Sequence, residues 1–338
     1  MTPGLSTRAT QREVAQAAGT STAVVSYVIN GGPRPVSEAT RQRVLAAIKE
    51  VGYSPNPIAQ ALASGVSGTY GLIVPDISNP FFSALAHELE EALSTVHQVL
   101  LLGDSAESKE REGQLLEQFL GRQIDGILFI GVDSDPDLRA VSDAGVPVVL
   151  LDRIASDGQF ASVSVDNAAG AAAATTHLIG HGYRDIGIIA GPSSLFPARE
   201  RLHGWRRALS NAQIEPRTEW IVESDFSRAG GFAAGIGLLS ADERPRAVFA
   251  SNEQQAVGFV SAAAALGIKV PDEVALISFD GTESSEFAVP PISTVVQMLP
   301  EIARAAVRLL SDTYGEEAPH EQCAFELKIR SSCGPHRK

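Results

Sequence analysis

The sequence predicts a small all-α head joined to an α/β core of two doubly wound lobes. Three observations carry this prediction. A helix, a glycine turn and a second helix occupy the first 30 residues, a proline-flanked segment follows, and beyond Ser67 short β-rich runs alternate with helical ones. At 338 residues and 44% hydrophobic content the chain is long enough for two or three domains, each with its own core.

The head begins at Thr10, placed to cap a helix that runs from Gln11 and ends at Ala18. Gly19 supplies the turn. Ala15, Gly19 and Val25 have helix-turn-helix spacing: a small residue where two helices cross, one free to take positive φ, and an apolar one that closes the small core. The second helix, opening at Thr20 or Ser21, is then the recognition helix, with Thr22 and Ala23 at its tip and Ser26 and Tyr27 a turn further on. Ser37 caps a third helix with Val44, Ile48 and Val51 at helical spacing, and Gly52 stops it.

Next comes a short segment in which Asn56 can cap, Pro57 takes the first helical position and Gly65 ends the helix. Only about two turns long, it needs a packing partner to be ordered, because isolated helices below roughly 12–15 residues are marginal in water. A second copy lying on DNA would serve, and Leu62 is then free to wedge between base pairs in the minor groove.

In the core, Tyr70–Val74, Val99–Leu102, Gly126–Ile130 and Pro147–Leu151 read as buried parallel strands, and Ile186–Ala190, Ala247–Ala250 and Ala275–Phe279 form a second series. Helical patterns over Asn167–His181, Ala198–Asn211, Arg228–Leu239 and Glu253–Leu266 separate the later strands. In such folds ligands bind outside the carboxyl ends of the strands. Polar residues stand there: Asp152 and Arg153 after one strand, Asn252 and Asp280 after two others. Each alone is also explained as a turn former or helix cap.

The net charge of −13 is unevenly spread. Residues 1–66 carry six basic side chains against three acidic ones, and the rest carry 21 against 37. A basic head on an acidic body suits one end for nucleic acid and turns the other away from it. No apolar stretch reaches the roughly 18 residues of a membrane span, and Met1–Thr10 lacks a signal peptide's apolar run, so a soluble, cytoplasmic protein is expected. Cys323 and Cys333 are too few for a disulfide framework and lack closely spaced Cys or His partners, so neither a metal site nor a cofactor is expected. The seven histidines, among them His177, His181 and His203, are read as lying on solvated helix faces, with no His-x-x-x-His-like pair completed by a third ligand. The glycine-rich Gly230–Gly237 lies in a helical pattern and completes neither a dinucleotide fingerprint nor a P-loop, so helix packing is its expected role. No enzymatic motif stands out.

Four runs together closely resemble the lactose/galactose repressor (LacI/GalR) family: Thr10–Asn30, Val36–Arg41, Gly52–Pro57 and Ile73–Phe82. The resemblance extends to about residue 330. It implies a transcriptional regulator, expected to be a repressor and not an enzyme. Its head spans 1–55, with a hinge helix and linker over 56–66 and a periplasmic-binding-protein-like core over 67–338. The N-lobe is expected over about 67–166 and 298–326, the C-lobe over 167–297 and 327–338. DNA contacts are expected from Thr10, Thr20, Ser21, Thr22, Ala23, Ser26, Tyr27, Asn30, Ser37, Thr40, Asn56, Ala59 and Leu62. Many members carry Arg where Tyr27 stands, so the half-site differs, and the loop Gly31–Pro35 is a residue longer than usual.

Effector contacts are expected from Asp76, Asn79, Phe81, Phe82, Asp152, Arg153, Arg199, Phe226, Asn252, Asp280 and Gln297. The set suits a monosaccharide or small polyol, whose hydroxyls both donate and accept, with a buried Arg199 fork orienting it and Phe81 and Phe226 facing its C–H groups. A nucleoside or purine is the alternative. The expected assembly is a homodimer on a pseudo-palindromic operator, and the tail Lys328–Lys338 has no heptad repeat that would add a tetramer.

Overall fold

The computed structural model describes residues 9–30, 35–54, 65–133, 136–152, 158–312, 314 and 318–334. The chain divides into two compact units, with the boundary between Ser67 and Gly68.

In the first unit, α1 (Gln11–Ala17), α2 (Thr22–Asn30) and α3 (Glu38–Val51) enclose a core of Val14, Ala15, Ala18, Val25, Val28, Val44 and Ala47. Local chemistry sets their ends. Thr10 and Glu13 form a reciprocal capping box at α1, and Ser37 Oγ accepts from Thr40 N at α3. Gly19 and Gly52 turn the chain at φ of +60° and +64°, a region open to glycine at little cost.

In the second unit two six-stranded sheets are built on the same plan. The first has the order β11-β5-β4-β3-β1-β2, from β1 (Thr69–Val74), β2 (Val99–Asp104), β3 (Gly126–Phe129), β4 (Val148–Leu151), β5 (Ala161–Val165) and β11 (His320–Cys323). The second has the order β12-β10-β9-β8-β6-β7, from β6 (Ile186–Ala190), β7 (Ile221–Glu223), β8 (Ala247–Ala250), β9 (Ala275–Asp280), β10 (Ser293–Gln297) and β12 (Phe325–Lys328). All pairings are parallel except β10 with β12. Strands β3, β4, β6, β8 and β9 are buried along their whole length, as parallel strands covered on both faces must be.

Seven strands fall where the sequence places them, although β2 is an edge strand with Val99 and Leu102 exposed rather than a buried one, and β5, β7, β10, β11 and β12 lie outside those predictions. Strands β7, β11 and β12 are short and hold only half-buried or exposed residues apart from Cys323, so neighbours rather than pattern define them. The chain passes between the sheets after β5, after β10 and at Ala324, the last slightly ahead of the expected lobe boundary.

The helices of the second unit are α4 (Pro80–Ser94), α5 (Lys109–Gly121), α6 (Arg139–Asp143), α7 (Asn167–Gly180), α8 (Phe196–Asn211), α9 (Arg228–Leu239), α10 (Glu253–Ala265), α11 (Glu283–Phe287) and α12 (Leu299–Ser311). Helices α9 and α10 cross through glycines. A Cβ on Gly258 would lie 2.1 Å from Arg228 O, and one on Gly231 would lie 2.2 Å from Gln255 O. The glycine-rich segment thus serves helix packing.

Replacing Gly258 with Ala is expected to cost about 1–3 kcal/mol in urea unfolding, because backbone on the facing helix must move. Gly237, exposed on α9 with nothing within 4 Å of its Cβ position, should gain up to about 1 kcal/mol on the same change. Equal effects at the two sites would remove the close crossing from the account.

Candidate functional site

Burial of Val25 and Val28 fixes which face of α2 is free. Thr22 and Ala23 are exposed at its N-terminal tip, Ser26 and Tyr27 are half-buried one turn on, and Asn30 is exposed at its end. Ser21 lies just outside the helix and caps it, its Oγ accepting from Val24 N at 3.4 Å. Thr20 is half-buried, its amide donating to Ala15 O at 2.9 Å. Thr10, Ser37 and Thr40 are partly committed to caps: Thr10 Oγ1 donates to Glu13 Oε2 at 3.0 Å, and Ser37 Oγ donates to Thr40 Oγ1 at 2.9 Å. Asn56, Ala59, Leu62, Gly31–Arg34 and Arg153 lie outside the described residues.

In the second unit the carboxyl ends of the two sheets border a cavity of about 230 Å³. From the first lobe Asp76, Asn79, Phe82, Glu107 and Asp152 line it, and from the second Asp225, Phe226 and the 192–197 segment. The loop after β1 is held locally. Asp76 accepts from Ser78 N at 2.8 Å, and Asn79 caps α4 by accepting from Phe81 N at 3.1 Å. Glu107 is pushed above the usual carboxylate range by burial, then by Asp225 and Asp76. Carboxylates from both lobes therefore share one field.

Behind the cavity, in the second lobe, lies a buried polar network. Arg201 Nε donates to Asn167 Oδ1 at 2.8 Å, and its Nη1 donates to Ser251 O at 2.8 Å and lies 3.3 Å from Asp280 Oδ1. Its guanidinium carbon stands 3.9 Å from the Phe279 ring centroid. Gln297 Nε2 donates to Asp280 Oδ1 at 3.0 Å. Burial raises the Asp280 carboxyl above its ordinary range while Arg201 and Gln297 oppose that shift. Next to it Glu253, also raised by burial, accepts from Thr282 Oγ1 and from Ser285 N.

Asp152 and Asp280 close equivalent strands, β4 and β9, each third from the corresponding edge of its sheet. Both adopt left-handed backbone, φ +59° and +92°, which aspartate tolerates better than most residues but which still costs energy.

Three expectations change. Arg199 is exposed, donating from Nη1 to Ser193 O and Ser194 O, and the buried arginine is Arg201. Helical spacing contains the signal: Ala198, Arg201, Trp205 and Ala208 form the buried stripe of α8, and Arg199 lies off it. Phe81 belongs to the core stripe Phe81, Leu85, Leu89 and Leu93, whereas Phe82 faces the cavity. Asn252 is buried as the cap of α10, exchanging hydrogen bonds with Gln255, while its Nδ2 donates to Phe226 O at 3.4 Å.

One grouping contradicts the expectation for the histidines. His177 and His181 are half-buried rather than solvated, and their rings lie 4.5 Å apart. Cys333, 156 residues from His177 in sequence, places its Sγ 3.3 Å from His177 Nε2.

Comparison with known proteins agrees with this layout. Residues 10–56 match the model for bacterial regulatory proteins of the lacI family, and residues 175–333 match a periplasmic binding protein-like domain. The catabolite control protein A of Priestia megaterium is 35% identical over 307 residues, 90% of this chain and 92% of that protein. Among solved structures, the lac repressor dimer bound to operator and the anti-inducer ONPF superimposes with TM-score 0.85 at 26% identity, covering 97% of this chain and 100% of that one. The transcriptional regulator CelR–cellobiose complex does so with TM-score 0.73 at 32% identity, covering 96% and 100%.

Replacing Arg201 with Met should lower stability at neutral pH by about 3–5 kcal/mol, because a buried carboxylate loses its counter-charge. The sign with pH follows from the raised pKa of Asp280. The folded state then binds a proton more readily than the unfolded chain, so the penalty should shrink as pH falls towards the ordinary aspartate value of about 3.9. A penalty independent of pH, measured by urea unfolding at several pH values, would show that Asp280 does not rely on Arg201.

Proposed function

Because the chain belongs to the lacI family of bacterial regulatory proteins, we propose that it is a repressor that reads a pseudo-palindromic operator as a homodimer and is controlled by a neutral monosaccharide or polyol. The coarser statement is established by kinship: this is a transcriptional regulator with an effector-binding core, not an enzyme.

Operator reading is supported by the exposed tip of α2. Thr22 and Ala23 are free to meet base edges in the major groove, with Ser26, Tyr27 and Asn30 behind them. Tyr27 lacks the bidentate fork that an Arg would offer guanine, so the operator departs from those read through Arg. Dimerisation is taken from the lac repressor, solved as a dimer on its operator. In that arrangement Leu62 would act as the minor-groove wedge. A regulator of this kind works in the cytoplasm, and among the described residues no helix is long and apolar enough to cross a membrane.

The observation that carries the effector class is the charge of the cavity. Its ionisable lining groups are Asp76, Glu107, Asp152 and Asp225, with no Lys or Arg among the described lining residues. Such walls accept hydrogen bonds from hydroxyls and repel phosphate. Phe82 and Phe226 supply apolar faces, and about 230 Å³ falls below the roughly 300–1,000 Å³ of drug-sized sites. A single sugar ring suits that size. The effector acts by binding the closed arrangement of the lobes more tightly than the open one, and the operator response follows from that difference.

A thermal-shift panel of monosaccharides, their phosphates, nucleosides and purines tests the effector class. A neutral monosaccharide at about 100 times its Kd should stabilise by about 2.7 kcal/mol, and its phosphate should not. A response confined to phosphates or purines would overturn the assignment. For the DNA side, gel shifts on the gene's own upstream region should show specific binding at physiological salt. Leu62→Ala should weaken that binding by tenfold or more while the monosaccharide shift persists, and unchanged operator affinity would remove the wedge.

A further inference from the structure

We propose that His177, His181 and Cys333 form a binding site for a borderline-soft divalent cation, Zn²⁺ being the best match, on the second lobe and apart from the effector cleft. The inference is independent of what the cleft binds.

The three residues arrive from two parts of the chain. His177 lies in the last turn of α7 and His181 is its C-cap, so the i and i+4 positions put both imidazoles on one face. Cys333 closes a single turn of 3₁₀ helix, Ser331–Cys333, that follows β12. Ser332 anchors that turn to the sheet, its Oγ donating to Leu276 O at 2.7 Å and accepting from Ser293 N at 2.8 Å. The thiol is thereby held under the end of α7.

The three ligand atoms are close enough to approach a single ion. One ligand atom from each residue lies within 4.8 Å of the others. With Zn–N near 2.0–2.1 Å and Zn–S near 2.3 Å, the edges of a tetrahedral centre measure about 3.3–3.6 Å. His177 Nε2 and Cys333 Sγ, 3.3 Å apart, lie within about 0.3 Å of the nitrogen–sulfur edge. The remaining separations, within 4.8 Å, have to close by up to about 1.5 Å, a side-chain adjustment at the helix end where His181 stands half-buried.

Ligand chemistry chooses the ion. Two imidazoles and a sulfur with no carboxylate suit zinc and its neighbours and reject magnesium and calcium, which require oxygen. Three protein ligands leave the fourth position to water. On binding, the Cys333 S–H bond breaks, the sulfur electron pair goes to the metal and the proton leaves to solvent. Ser293 Oγ, 3.1 Å from Sγ, donates to the sulfur and would support the resulting charge.

Position separates this site from the cleft. Asn167, which holds Arg201, starts α7, and ten residues at 1.5 Å each put His177 about 15 Å further along the same helix. A metal here fastens the end of the chain to the helix that supports the buried arginine.

The test uses the full-length, reduced protein and Co²⁺ as a spectroscopic substitute for Zn²⁺. One equivalent per chain should produce a sulfur-to-cobalt charge-transfer band in the near ultraviolet, Zn²⁺ should bleach it, and Zn²⁺ should raise the melting temperature. Cys333→Ser should abolish the band, and His181→Asn, at a helix end where folding is least at risk, should weaken Co²⁺ binding by tenfold or more. Circular dichroism checks that each variant folds, and the His181 variant decides the matter if Cys333→Ser does not. A folded, reduced protein without the band overturns the proposal. So does a band unchanged in His181→Asn or surviving in Cys333→Ser, which would place the thiolate at Cys323 or elsewhere.

Discussion

The guanidinium of Arg201 is the point on which the second lobe is organised. It reaches Asn167 at the start of α7, Ser251 O at the end of β8 and Asp280 at the end of β9, while lying over the ring of Phe279. Taking both charges out of water costs several kcal/mol each, and attraction between them offsets that only if the remaining donors and acceptors are satisfied. Here Asn167, Ser251 and Gln297 do so. The pair is therefore weak evidence for stability; what it does is tie together three strand and helix ends behind the cavity.

This constraint also explains the division of labour around the cavity. The residues facing it are acceptors and aromatic faces, whereas the principal cation of the site is already engaged behind them. A ligand that brings hydroxyl donors meets complementary groups at once. One that needs a positive partner finds none among the described lining residues. The left-handed backbone of Asp152 and Asp280 belongs to the same design, because the two lobes repeat one strand order and present the same position across the cleft.

What the sequence makes legible is whatever is decided within a few residues. The capping box at Thr10, the cap at Ser37 and the turns at Gly19 and Gly52 depend on neighbours in the chain, and the strands read correctly are apolar runs, buried on both faces except at the edge strand β2. Strand β11 (His320–Cys323) and strand β12 (Phe325–Lys328) carry no such run and exist because β5 and β10 offer unpaired edges. In the site, Asp152 and Asp280 are legible as strand ends, but Arg199 and Arg201 are alike until the buried stripe of α8 is traced through Ala198 and Trp205. Phe81 and Phe82 divide on the same principle. Helical periodicity, applied to polar and aromatic residues as strictly as to aliphatic ones, separates both pairs.

Helix α7 joins these themes. Its sequence is almost entirely small, which allows α8 to approach so closely that a Cβ on Gly204 would lie 2.2 Å from Ala168 O. That approach is what brings Arg201 within reach of Asn167. Contact this close fixes the spacing of the two helices, and polar groups tie down the ends of α7. At one end Asp166 caps the helix and Asn167 holds Arg201; at the other His177 Nε2 meets Cys333 Sγ. The helix that carries Asn167 at its start therefore carries the histidine pair at its end.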